Sequence, residues 1–284
     1  MPTVIETMRL QLQDAIRGVL VGPVEPVRVV REDHDGDPGI FGPGSATWKV
    51  HSDASILIGG VRALLLQTMH PLAMAGVAGH SAYRSDPTGR LWRTSGYVGT
   101  TTFGTTEQAK QAVTMVRRVH ESVVGTAPDG RPYAANDPHL LGWVHHTLVD
   151  SFLRAHQRYA DAALSPLDAD RYVAEQARLA ELIGAANPEP ARSVAELRAW
   201  MRGIRPELEA GRQAREATRF LLFPPLSLAT RPPFAVIASA AVGLLPRWIR
   251  RDLRIPTLPF ADALVVRPTA RALSAAVSWA MRPV

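Results

Sequence analysis

Leu141-Gly142-Trp143-Val144-His145-His146-Thr147-Leu148-Val149-Asp150-Ser151-Phe152 decides the fold. Leu141, Leu148, Val149 and Phe152 recur at helical spacing, and His145 falls on the same face, a period that no strand can use. Asp137-Pro138 opens the segment, with proline at a first helical position where its missing N–H costs nothing. His146 stands four residues before Asp150, within reach one turn on.

The same punctuation recurs along the chain. Thr105 with Gln108, Ser165 with Asp168, and Ser193 with Glu196 have the spacing of reciprocal helix N-caps, and Ser165-Pro166 repeats the proline start. The pattern predicts an all-α protein with helices at about 3–20, 52–80 bent at Pro71, 89–104, 106–124, 138–160, 166–184, 194–203, 206–222, 234–251 and 259–282. Gly22–Thr47, rich in Gly, Pro and Asp, and Phe223–Pro233, with four prolines, read as loops. Residues 1–51 are then an N-terminal helix and loop, 52–223 the main helical domain, and 224–284 a basic C-terminal helical extension packed on it.

Composition narrows the chemistry. The 284 residues, 46% of them hydrophobic and 20% charged, suffice for one large domain or two small ones with a substantial core. With no cysteine, there is no disulfide scaffold, thiol nucleophile, zinc-thiolate site, iron-sulfur cluster or covalent CxxCH haem attachment. Phosphate-binding glycine loops, HExxH and the Glu-x-x-His pairs of di-iron bundles are missing as well. Gly79-His80-Ser81-Ala82-Tyr83 lacks the second glycine of a nucleophile elbow. The informative residues are the nine histidines and the arginines.

Arg90, Arg93, Thr94, Tyr97 and Thr101 fall on one face of their predicted helix, and the flanks Leu91, Trp92, Val98 and Phe103 leave no clean opposing apolar face. A buried helix is therefore expected, and buried guanidiniums need anionic partners that this stripe does not contain, so an external propionate or phosphate is the expected partner. In Val113-Thr114-Met115-Val116-Arg117-Arg118-Val119-His120-Glu121-Ser122-Val123-Val124, His120 shares its stripe with Val113, Val116 and Val124. Such a histidine is either a satisfied core residue or an axial iron ligand. His145 is the second candidate for a pocket, while His70, before the bend at Pro71, reads as structural.

Gln67-Thr68-Met69-His70-Pro71, Arg90-Leu91-Trp92-Arg93-Thr94 with Tyr97, Val116-Arg117-Arg118-Val119-His120 followed by Val124-Gly125, and Trp143-Val144-His145 through Asp150-Ser151 stand in one order. Together they resemble the signature blocks of the rubber oxygenases (latex-clearing proteins) and MpaB-type oxygenases, over roughly Ser52 to Phe223. The resemblance implies a globin-like helical fold holding non-covalent haem b, with His120 as the iron ligand and Arg90 and Thr94 at the haem pocket; Tyr97, on the same stripe, and His145, on its apolar face, are the further candidates for binding the cofactor. Arg93 stands where the rubber oxygenases have a lysine. It retains a cation with different geometry, so Arg93 or Thr94 would steady negative charge developing on the distal side. The glutamate base that those enzymes carry before the arginine has no counterpart, because no carboxylate occurs between Asp53 and Asp86. That departure argues against polyisoprene cleavage by their route.

The expected function is a haem-dependent oxygenase or related oxidoreductase acting on a small apolar, isoprenoid or lipid-like substrate, with dioxygen or peroxide as its partner. The alternative is a haem- or lipid-binding module without turnover. Basic residues outnumber acidic ones, 32 to 26, and residues 241–284 hold seven arginines against two acids. Arg247, Arg250 and Arg251 beside Trp248 therefore suggest peripheral contact with anionic lipid, with nucleic acid not an expected partner. Met1–Leu20 intersperses charges with apolar residues and does not read as a leader, so the expected compartment is the cytosol. The apolar run Phe234–Leu245 is too short to span a bilayer.

Overall fold

A computed structural model describes residues 36–81, 87–185, 189–228, 230–256 and 262–281. The expected helix at 3–20 lies outside them. Among the described residues the architecture is all-α, with a single two-stranded hairpin. The helices are α1 (Ala46–His51), α2 (Ile56–Gln67), α3 (Pro71–His80), α4 (Pro87–Phe103), α5 (Thr106–Glu121), α6 (Pro138–Tyr159) and α7 (Pro166–Ile183). They continue with α8 (Val194–Gly203), a 3-10 turn (Arg205–Glu207), α9 (Arg212–Leu222), α10 (Arg231–Gly243), α11 (Arg247–Asp252), a π turn (Asp262–Val266) and α12 (Arg267–Met281). Strands β1 (Val124–Thr126) and β2 (Pro132–Ala134) pair antiparallel between α5 and α6.

The hydroxyl half of each expected cap forms, but the reciprocal bond only at Thr105: the Asp168 carboxylate takes the Ser165 hydroxyl and that of Glu196 the Arg192 amide. Thr105 and Gln108 bond reciprocally at the start of α5. Ser165 and Ser193 accept from the amides of Asp168 and Glu196, and the Asp137 carboxylate accepts from those of His139 and Leu140. Proline sets the breaks. The predicted 52–80 helix becomes α2 and α3, bent by 102° before Pro71. The predicted 234–251 helix is cut at Pro246, which lacks the N–H that a continuous helix would use there. Pro206 likewise sits in the 3-10 turn that precedes α9.

Helix α1 lies at the predicted loop's end and is built by tertiary contacts. Its first amides, from Ala46 and Thr47, donate to the Glu175 carboxylate of α7 at 3.3 and 2.8 Å. His51 closes its other end, pairing Nδ1 with Thr102 Oγ1 of α4 at 2.7 Å and Nε2 with the Tyr172 hydroxyl of α7 at 3.1 Å. Ala46 and Val50 share a core with Val149, Phe152, Tyr172 and Leu197.

The centre of the molecule is the packing of α2 on α6. Gly59 makes it close: a Cβ there would stand 2.7 Å from Phe152 Cδ1 and 3.1 Å from the Ser151 carbonyl oxygen. One turn on, Arg62 is 2% exposed and pairs with Asp150 at 2.8 Å. It also donates to Ser151 Oγ at 2.7 Å and to the Leu244 carbonyl beyond α10 at 3.1 Å. Burial pushes the Asp150 carboxyl up, but Arg62 and Arg154 outweigh it and hold the group below the usual carboxylate range. Trp143, Leu65, Leu66, Met69, Ile204 and Ile249 form an adjoining core that draws in α9 and α11. Among the described residues no single helix is long and apolar enough to cross a membrane.

Two predictions follow from these buried polar groups. Arg62→Met leaves Asp150 buried with only its exposed partner and should cost about 3–5 kcal/mol in urea unfolding, whereas Arg62→Met/Asp150→Leu should recover most of that loss. A double variant no more stable than the single would contradict this account of the pair. Secondly, burial lowers His51 to about 3, His145 to about 3 and His146 to about 4. Between those values and the ordinary 6.5 the unfolded chain binds more protons, so stability is complete above about pH 6.5 and falls as the pH drops. Urea midpoints should decline steadily from pH 7 to 5; a flat profile would show these histidines already charged in the fold.

Candidate functional site

Helix α4 carries the predicted stripe, graded from water to core. Arg90 lies within the helix, its side chain outside those described. Arg93 is exposed, Thr94 and Tyr97 are half-buried, and Thr101 is buried with its hydroxyl on the Tyr97 carbonyl at 2.8 Å. The expectation of a buried guanidinium therefore does not hold at Arg93, whose side chain is exposed. Burial raises the Tyr97 phenol far above its ordinary range, so it is a neutral hydroxyl at physiological pH.

On α5, Ala109 and Val113 form the inner face and His120 occupies its last half-buried position before the Ser122 cap. Val124, expected to continue the stripe, is exposed in β1. His120 Nδ1 is sealed from water without a hydrogen-bond partner, and so is Asn136 Oδ1. Burial lowers the imidazole pKa while the Asn136 side chain opposes the shift, which leaves the ring neutral near pH 7. A buried unpaired polar atom costs about 1–3 kcal/mol, so this ring is held in a state suited to a partner.

The two histidines of α6 differ. His146 is satisfied: Ala191 N–H donates to its Nε2 at 3.1 Å, so Nδ1 carries the proton and donates to the Gly142 carbonyl at 2.7 Å. The ring also stacks on Trp200 at 4.2 Å. Its expected contact with Asp150 is not made, because that carboxylate is engaged by Arg62 and Arg154. His145 is buried and meets His146 edge to face at 5.5 Å. Burial, with a smaller push from His146, keeps it uncharged.

Packing relates these helices. α4 lies along α5, and Val98 of α4 packs on the core that contains Val149 and Phe152 of α6. Asn136 Nδ2 donates to the Arg117 carbonyl at 3.0 Å and hooks the end of α5 to the segment entering α6. Gly184, ending α7, stands within reach of both Arg117 and Leu141. His120 follows Arg117 by three residues and His145 follows Leu141 by four. His120 and His145 do not hydrogen-bond to each other.

A groove of about 650 Å³ opens elsewhere, between the second half of α6, α7 and α8, and is faced by Arg154, Arg158, Arg198 and Arg267. None of Thr94, Tyr97, His120 or His145 lines it. Sequence reasoning also passed over a second polar centre. His70 is more than a bend residue, because it is buried beside His139 and Glu207, which are distant in sequence and carry no joint signal.

The family model for the ER-bound oxygenase mpaB/B'/rubber oxygenase catalytic domain matches residues 48–278. No curated protein and no solved structure matches the chain. The match runs from within α1 to within α12, and thus includes every helix on which a candidate residue sits. With most of its length covered, the chain belongs to the mpaB/rubber oxygenase catalytic-domain family.

Proposed function

We propose that this oxygenase-family chain is a haem b-dependent oxygenase of small apolar, isoprenoid or lipid-like substrates, with dioxygen or peroxide as co-substrate. The observation that carries the reading is His120: a neutral imidazole whose buried Nδ1 has no partner, on a helix that packs along α4. The residues fit the group, because iron takes a neutral imidazole through one nitrogen while the other donates to an orienting acceptor. Asn136 supplies that acceptor: its Oδ1 is also buried and unpaired, and its side chain acts on the His120 ring. Nδ1–H would then turn to Asn136, leaving Nε2 for the metal.

Bound haem supplies the redox-active iron that oxygen chemistry requires. The chain supplies the rest. On α4, Thr94 and Tyr97 present neutral hydroxyls able to donate hydrogen bonds, and Arg90 on the same face is the propionate partner in this reading. His145 contributes a dry, uncharged ring from α6.

Protein purified with haem, or reconstituted with haemin, should show a Soret band at one haem per chain. His120→Ala should abolish or shift that band, and Asn136→Leu should weaken haem retention by about tenfold. A colourless protein that stays apo with added haemin, or an unchanged spectrum in His120→Ala, would reject the reading.

A further inference from the structure

Among the described residues, one buried histidine outside the helix that carries His120 has neither ring nitrogen hydrogen-bonded. His70 caps the N-terminus of α3 and is held there by Pro71 at the first helical position. It is 1% exposed, and both Nδ1 and Nε2 are buried without a hydrogen-bond partner. Its Nε2 points at Glu207 Oε2 across 3.6 Å, too far for a hydrogen bond. The same carboxylate oxygen lies 2.8 Å from His139 Nε2, in the first turn of α6. One ligand-type atom from each of the three residues lies within 4.8 Å of the others.

We propose that His70, His139 and Glu207 bind a divalent transition-metal ion of the zinc class, at a site separate from His120. Two imidazoles and one carboxylate are a donor set that such ions accept, with a further position left to water. Ligands at about 2.0–2.1 Å around a tetrahedral ion stand roughly 3.3 Å apart, and the observed 2.8 and 3.6 Å bracket that edge. An ion seated there would give the buried His70 Nε2 the partner that Glu207, at 3.6 Å, does not. The side chains of His139 and Glu207 are 39% and 43% exposed, so the site has an open side for entry and for a water ligand.

The scaffold is already in place. The Glu209 amide donates to the Met69 carbonyl at 2.8 Å, which pins the 3-10 turn bearing Glu207 against the residue preceding His70. The Asp137 carboxylate fixes the His139 backbone at the start of α6. A bound ion would therefore tie the α2–α3 bend, α6 and the turn before α9 into one corner, with Trp143 packed against His70.

Cobalt(II) is the probe. Chelator-treated protein, titrated with cobalt and followed by equilibrium dialysis and visible d–d absorption, should take up one ion per chain with a four-coordinate spectrum. His139→Ala and Glu207→Gln, changes at half-exposed positions that should leave the circular dichroism intact, should each weaken uptake by about tenfold or more. His120→Ala should leave it unchanged. Absence of stoichiometric uptake, equal uptake in both site variants, or loss of uptake in His120→Ala would overturn the proposal. Cobalt bound by a protein that refuses haem would reject only the reading of His120, and a haem-loaded protein without a cobalt site would reject only this one.

Discussion

A guanidinium taken out of water must be met on every side, and that requirement at Arg62 organises the molecule. Its partners are Asp150 and Ser151 on α6 and the Leu244 carbonyl beyond α10, so one side chain from α2 fixes two other elements. Gly59, one turn earlier, lets the helix backbones approach closely enough for that reach. Sliding either helix would leave a buried charge unpaired, at a cost comparable to much of a domain's net stability. The pair therefore sets the register of α2 on α6.

Register on α6 decides where its histidines stand. His139 opens the helix at the solvent edge beside Glu207, His145 lies nearly two turns inside and is buried, and His146 is consumed by backbone hydrogen bonds and the Trp200 stack. Three histidines within eight residues thus have three chemical fates, set by local surroundings. Near the end of α5, Asn136 bonds the Arg117 carbonyl and acts on the His120 ring, just before the chain enters α6. The functional proposals both rest on buried imidazole nitrogens with unfilled bonding capacity, His120 Nδ1 in one case and His70 Nε2 in the other.

The helical class was legible because it rests on local chemistry. Capping residues at 105, 137, 165 and 193 and prolines at first turns act within one or two turns of themselves, and each of these residues is found at a helix start, although only Thr105 has its reciprocal bond. The family was legible from ordered blocks, and the structure gives one of them a physical reason: Asp150-Ser151 recurs as the seat of Arg62. What failed to be legible is tertiary. Helix α1 is six residues long and is stabilised by Glu175 from far along the chain. The apolar run before Pro246 hides the break there, and the helix expected from 206 begins only at Arg212, after a 3-10 turn. Arg93 was expected to be buried because helix flanks were read without knowing what covers them. Nothing in the spacing of His70, His139 and Glu207 announces that folding gathers them.

The most direct test of the account is a crystal structure of the haem-loaded protein with anomalous diffraction collected at the iron edge. The account predicts a single haem-iron peak within bonding distance of His120 Nε2, with Nδ1 turned to Asn136. An iron peak bonded to His145 or to any other side chain, with His120 uncoordinated, would contradict it.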